Sequence, residues 1–177
     1  MEGEIINRVE KSGLITIDLA DYYHDGNRMV WDIADHLFQG MILRERDYRE
    51  VLKNTDWTEY EGANVAIVCS ADAIVPTWAY MLTATYLQGK ANKVVMGSMD
   101  MLEYELFREA LEKIDIESLK DAKVVIKGCG DIPVPESAYV ELTMKLQPVV
   151  SSLMYGEPCS TVPVYKKPRS KAVNQTS

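Results

Sequence analysis

The sequence is short of positive charge. Nineteen Lys and Arg stand against twenty-seven Asp and Glu, a net charge of −8. A surface of that sign repels a phosphate backbone, so nucleic acid is not an expected partner. Long apolar runs are missing too. The most apolar stretch, residues 73–87, contains Pro76 and several hydroxyls and is shorter than a bilayer span; it suits a buried core helix, and no membrane partner is expected. Met1-Glu2-Gly3-Glu4 is acidic and leads into no hydrophobic run, so no signal peptide is expected and the reading is cytoplasmic. Cysteine is sparse: Cys69, Cys129 and Cys159, odd in number, widely spaced and without a C-x-x-C pair. That excludes a disulfide framework and lacks the tight spacing of familiar metal modules. His24 and His36 have no partner at metal spacing, and there is no Walker loop, no G-x-G-x-x-G and no Ser/His/Asp pattern.

What the sequence does contain is a duplication. From Val65 it reads V-A-I-V-C-S-A-D-A-I-V-P-T-W-A-Y-M-L-T-A-T-Y-L-Q, and from Val124 V-V-I-K-G-C-G-D-I-P-V-P-E-S-A-Y-V-E-L-T-M-K-L-Q. Laid together without a gap, at a constant offset of 59 residues, Asp72 meets Asp131, Pro76 meets Pro135 and Tyr80 meets Tyr139. The shared unit, 64–88 and 123–147, is a strand, a cysteine-bearing turn, D-x-x-V-P-x-x-A-Y and a helix.

Around it the pattern predicts a short helix over 4–11 and a strand over 14–18, with residues 29–33 as its hairpin partner across His24-Asp25-Gly26-Asn27. Residues 37–43 are ambiguous, with Gly40 as a bulge candidate. A helix is expected over 44–54, a strand over 93–96, and a helix opened by a capping box from Asp100 to Glu103. Pro76 and Pro135 open the repeat helices, and Pro148 stops the second. Residues 149–165, with one glycine and two prolines, read as an ordered loop. Three strand–helix units in succession predict an α/β fold: a mostly parallel sheet with helices on its faces, made mixed by the N-terminal hairpin. A hydrophobic fraction of 47% over 177 residues supports one domain, 1–165, followed by a flexible polar tail, 166–177. The first repeat helix is apolar nearly all round, so either the N-terminal segment or a second subunit is expected to cover it. A homodimer is one expectation.

Ligands of open α/β sheets bind outside the carboxyl ends of the strands. Cys69 and Cys129 follow strands there, Asp72 and Asp131 come just after, and Cys159 lies on a segment able to fold back. Three thiols and a carboxylate make a tetrahedral set for zinc, and thiolates suit an iron–sulfur cluster. Shared ligation needs sulfurs about 3.8 Å apart, within reach of adjacent strands about 4.8 Å apart and out of reach across an intervening one. Inert buried thiols are the alternative, and the aspartates have their own as helix N-caps. Gly128 and Gly130 flank Cys129, leaving its thiol uncovered and letting backbone approach a ligand, which makes Cys129 the candidate nucleophile or sulfur acceptor. Tyr80 and Tyr139 line the rim or pack in the core.

C-S-A-D-A-I-V-P-T-W-A-Y-M from Cys69, K-G-C-G-D-I-P-V-P-E-S-A-Y from Lys127 and Y-G-E-P-C-S-T-V-P-V-Y from Tyr155 resemble a bacterial family of unknown function, domain-of-unknown-function family 2480. E-G-E-I-I-N-R-V from Glu2 and L-F-Q-G-M-I-L-R-E from Leu37 fit as well, so the resemblance spans Met1 to about Lys167. It implies no activity. It implies a gene association with the sulfur-mobilising iron–sulfur assembly system, which favours a metal, cluster or sulfur-transfer site and iron–sulfur assembly proteins as partners. The leading expectation is therefore an accessory of iron–sulfur or sulfur handling. The alternatives are a small-molecule-binding or enzymatic α/β domain with an anion site at the helix N-termini, and a structural protein interacting through the first repeat helix.

Overall fold

The computed structural model describes residues 7–9, 13–128 and 130–168. The chain forms two compact units: a central one, His24–Phe107, and a discontinuous one assembled from Met1–Tyr23 and Arg108–Ser177. Among the described residues the strands are β1 (Asn7–Val9), β2 (Leu14–Asp18), β3 (Arg28–Asp32), β4 (Asn64–Val68), β5 (Lys93–Met96), β6 (Lys123–Lys127), β7 (Ser152–Glu157) and β8 (Ser160–Lys166). The helices are α1 (Glu45–Asn54), α2 (Thr77–Leu87), α3 (Met99–Glu112) and α4 (Glu136–Leu146). The α/β class, with largely parallel strands, is as the sequence predicts.

The central unit holds a three-stranded parallel sheet, β3-β4-β5. Its middle strand is apolar on both faces because both are covered. Val65 and Ile67 pack with Trp31 and Ala79 of α2, while Ala66 packs with Leu102 and Leu106 of α3. Ala79, Thr83 and Leu87 form the buried stripe of α2. Its flank is covered from within the unit: Trp78 lies edge-on to Tyr48 of α1, and Tyr86 stacks on Trp57 with centroids 5.5 Å apart. These contacts come from earlier in the chain, and Met81 on another side of α2 stays exposed. A directional hydrogen-bond chain crosses this core. Trp31 Nε1–H donates to the Tyr48 hydroxyl (3.0 Å), Tyr48 to Thr83, and Thr83 to the Ala79 carbonyl (2.9 Å).

The discontinuous unit holds a five-stranded mixed sheet, β1-β2-β6-β7-β8, in which β2, β6 and β7 are parallel and the two outer strands antiparallel. Val124, Val125, Ile126 and Leu153 are buried in it, and α4 buries Ala138, Leu142 and Leu146.

The duplication runs further than the repeated motif. Asn64 lies opposite Lys93 in one sheet and Lys123 opposite Ser152 in the other, both pairs displaced by the same 59 residues. Upstream, β2 and β3 are themselves copies: Asp18-Leu19-Ala20-Asp21 and Asp32-Ile33-Ala34-Asp35 each end a strand and open a 3₁₀ turn. In both, the first aspartate accepts the N–H of the alanine two residues on, at 3.0 and 2.9 Å. Asp18 sits opposite Lys127 and Asp32 opposite Val68, again in equivalent register. Even the entry turns match. Gly62 (φ 70°) and Asp121 (φ 57°) adopt the left-handed conformation at equivalent positions, and each donates its N–H to an equivalent carbonyl, Lys90 (2.9 Å) and Val149 (2.8 Å). Aspartate is one of the few side chains that tolerate this conformation.

Several expectations are corrected. Asn7–Val9, inside the stretch read as helix, is a strand, and it rather than β3 is the hairpin partner of β2; the remaining residues of 4–11 lie outside the described set. One continuous sheet is replaced by two, because β2 and β3 each pair in parallel with a different copy of the repeat strand. Residues 37–43 form no strand beyond a single bridge, Phe38 to Ile42, and Gly40 closes a tight turn with Gln39, both at positive φ, rather than a bulge. The α3 helix starts before Asp100: Ser98 Oγ accepts the Met101 N–H at 3.3 Å, and Glu103, instead of reaching back, binds Arg28 through both oxygens. Residues 149–165 are not loop; most of them build the β7–β8 hairpin. Pro163 is accommodated because β8 is an edge strand with a register shift beside it. The β8 strand reaches Lys166, the first residue of the expected tail, and residues 169–177 lie outside the described set.

Candidate functional site

Each copy of the repeat carries a turn at the carboxyl end of its central strand. In the central unit that turn is tied down by Asp32. Its Oδ1 accepts the Ser70 N–H at 3.0 Å as well as the Ala34 N–H. Burial pushes the Asp32 carboxyl up, but hydrogen bonds from the Ser70 hydroxyl and N–H and from Ala34 outweigh it and hold it below the usual carboxylate range. Cys69 is half-buried, its Sγ pointing to the Ala71 carbonyl at 3.6 Å. Tyr80 faces this turn: burial, then the neighbouring Cys69 and Asp32, raise its phenol above the ordinary value.

In the discontinuous unit Asp18 is ion-paired with Lys127 at 2.8 Å, which raises the lysine above its ordinary value. Gly128 stands where the other copy has Cys69. The Tyr139 hydroxyl donates to the Gly128 carbonyl at 3.1 Å, and a Cβ on residue 128 would overlap that phenol oxygen. Tyrosine packing alone therefore calls for glycine at 128. Gly130 faces open space. Cys129 itself lies outside the described residues.

The other sequence candidates scatter. Asp72 and Asp131 are exposed in their turns, and neither caps a helix: the N-cap positions are Pro76 and Pro135, with no side-chain cap bond. Cys159 is exposed in the β7–β8 turn, in a different unit from Cys69. The strands before Cys69 and Cys129 belong to different sheets, so no sheet register makes those two neighbours. Among the described residues no group of three or more His, Cys, Asp or Glu is arranged to hold a metal ion. His24 Nδ1 accepts the Gly26 N–H at 3.0 Å, and His36 stacks on Trp31.

Sequence reasoning missed a groove of about 330 Å³ in the discontinuous unit, between α4 and strands β6 to β8. Ile126, Leu153 and Met154 supply apolar surface from β6 and β7, and Val164 closes one side from β8. The polar groups are Glu136 and Thr143 of α4 together with the phenols of Tyr139 and Tyr155. These two rings meet edge to face, centroids 5.7 Å apart. The only foresight available was Tyr139, for which lining the rim was one of two expectations beside core packing. The rest depends on β7 and β8, which read as loop.

These features define a duplicated α/β protein, with a parallel three-stranded core in each unit and a groove between sheet and helix in one of them. The chain belongs to the family described as protein of unknown function (DUF2480), whose model matches residues 3–167. No curated protein and no solved structure matches it. Among the described residues no helix is long and apolar enough to cross a membrane.

Proposed function

We propose that this protein binds a small molecule in the groove between α4 and β6–β8. One observation carries the reading: an apolar hollow with a few convergent polar groups lies between α4 and the parallel strands β6 and β7, walled on one side by β8. Its volume falls at the lower end of the usual range for small-molecule sites, about 300–1,000 Å³. The test is a fragment screen on the full chain, read by amide chemical shifts. Binders should shift Ile126, Thr143 and Tyr155, and Val164→Trp should abolish those shifts with the fold intact. Hits that ignore Val164→Trp overturn the assignment.

A second reading keeps the thiols, with Cys129 as ligand to zinc or an iron–sulfur cluster, in service of iron–sulfur assembly proteins. It is favoured by the Tyr139 hydroxyl, which holds the carbonyl of Gly128, the residue that precedes Cys129 in sequence. Metal analysis of protein purified without chelator tests it: stoichiometric zinc or iron lost in Cys129→Ser supports it, and metal-free wild-type protein defeats it. Cys69→Ser and Cys159→Ser decide whether those thiols share the ion.

A further inference from the structure

The lining of the groove also says which ligand charge it favours. Among the described residues Glu136 contributes the one carboxylate of the lining, and no lysine, arginine or histidine belongs to it. The Tyr139 proton is committed to the Gly128 carbonyl, so its oxygen can only accept from a ligand. Tyr139 and Tyr155, locked edge to face, offer ring surface to a cation. The chain as a whole carries −8, which concentrates cations around it. We infer that the groove takes a small organic cation, an ammonium group on an apolar or aromatic body, with the charge between Glu136 and the tyrosine pair and the body on Ile126, Leu153 and Val164. This deepens, and rests on, the groove reading above. It departs from an anion site at the helix N-termini, because the first residue of α4 is itself the acidic Glu136. The competing role for Glu136 is purely helical, a carboxylate favoured at a helix N-terminus.

The test uses three probes with one aryl body: 2-phenylethylamine, 2-phenylethanol and 3-phenylpropanoate. Titrated into the full chain by amide chemical shifts, the ammonium should bind about tenfold more tightly than the carboxylate, with the alcohol between. Glu136→Gln should weaken the ammonium about fivefold and leave the alcohol within about twofold. Tyr155→Leu should weaken the ammonium about threefold more than the alcohol. Equal affinity of ammonium and alcohol, or unchanged ammonium affinity in Glu136→Gln, overturns the charge preference and leaves the groove standing. If none of the three shifts a groove residue at millimolar concentration, the groove reading falls with it.

Discussion

The two units are one frame finished in two ways. At places matched by the duplication stand Trp31, Tyr48 and Thr83, all of the central unit, and Ile17, Phe107 and Leu142, of which Phe107 is the last residue of the central unit and the other two belong to the discontinuous one. All six are buried. The first set is linked by hydrogen bonds and surrounded by aromatic rings; the second is aliphatic or purely aromatic, with no polar atom to satisfy. The same backbone thus accepts a polar core only where all three partners change together, since a lone buried hydroxyl costs more than a bonded one returns. The edges differ as well. After β5 the chain turns directly into α3, whereas after β7 it folds back as β8, and β8 supplies the wall that makes a groove. The duplicated part is scaffold, and the specialised part lies where the copies diverge.

Four changes break or sharpen that comparison. Leu142→Thr places the central unit's residue in the other copy without the tyrosine hydroxyl that serves Thr83. It should destabilise by about 2–4 kcal/mol in denaturant unfolding followed by circular dichroism. A cost below 1 kcal/mol would mean the core triplets are interchangeable singly. Gly128→Ala drives a methyl into the Tyr139 phenol and should cost about 1–3 kcal/mol. Much of that should return in the double variant with Tyr139→Phe, while Cys69→Ala at the equivalent place stays within about 1 kcal/mol. If the double variant is no better than the sum, the overlap is not the cause.

Tyr48→Phe removes the relay between Trp31 and Thr83 and should cost about 1–2 kcal/mol. All three tryptophans, Trp31, Trp57 and Trp78, lie in the central unit, so their fluorescence reads it selectively. The smallest effect concerns His36. Burial lowers its pKa below 6.5, and the opposing Asp35 and Asp32 do not cancel it. The unfolded chain therefore takes the proton first as pH falls. The stability of the folded state is full above pH 6.5 and is lost progressively below it, as pH descends to the lower folded value. His36→Phe should flatten that loss in tryptophan-detected urea unfolding between pH 7 and 5. An undiminished slope in His36→Phe would move the acid sensitivity elsewhere.

The repeat strands and helices were legible because their signals are local. A continuous apolar run marks β4, prolines fix the first turns of α2 and α4, and matching the copies needs only an offset. The second copy of Asp-x-Ala-Asp, 14 residues after the first, is equally local but too short to stand out as a repeat. Strands β7 and β8 were hidden by Gly156, Pro158 and Pro163, which argue for loop until an edge position and a register shift make room for them. What residue order could not decide was which strand each copy would pair with. Both N-terminal strands carry the same signal, and their assignment to two sheets depends on long-range burial that no local pattern encodes. That choice put the strands leading to Cys69 and Cys129 in separate sheets, and folding brought Tyr155 beside Glu136 and Tyr139 of the repeat helix around one hollow.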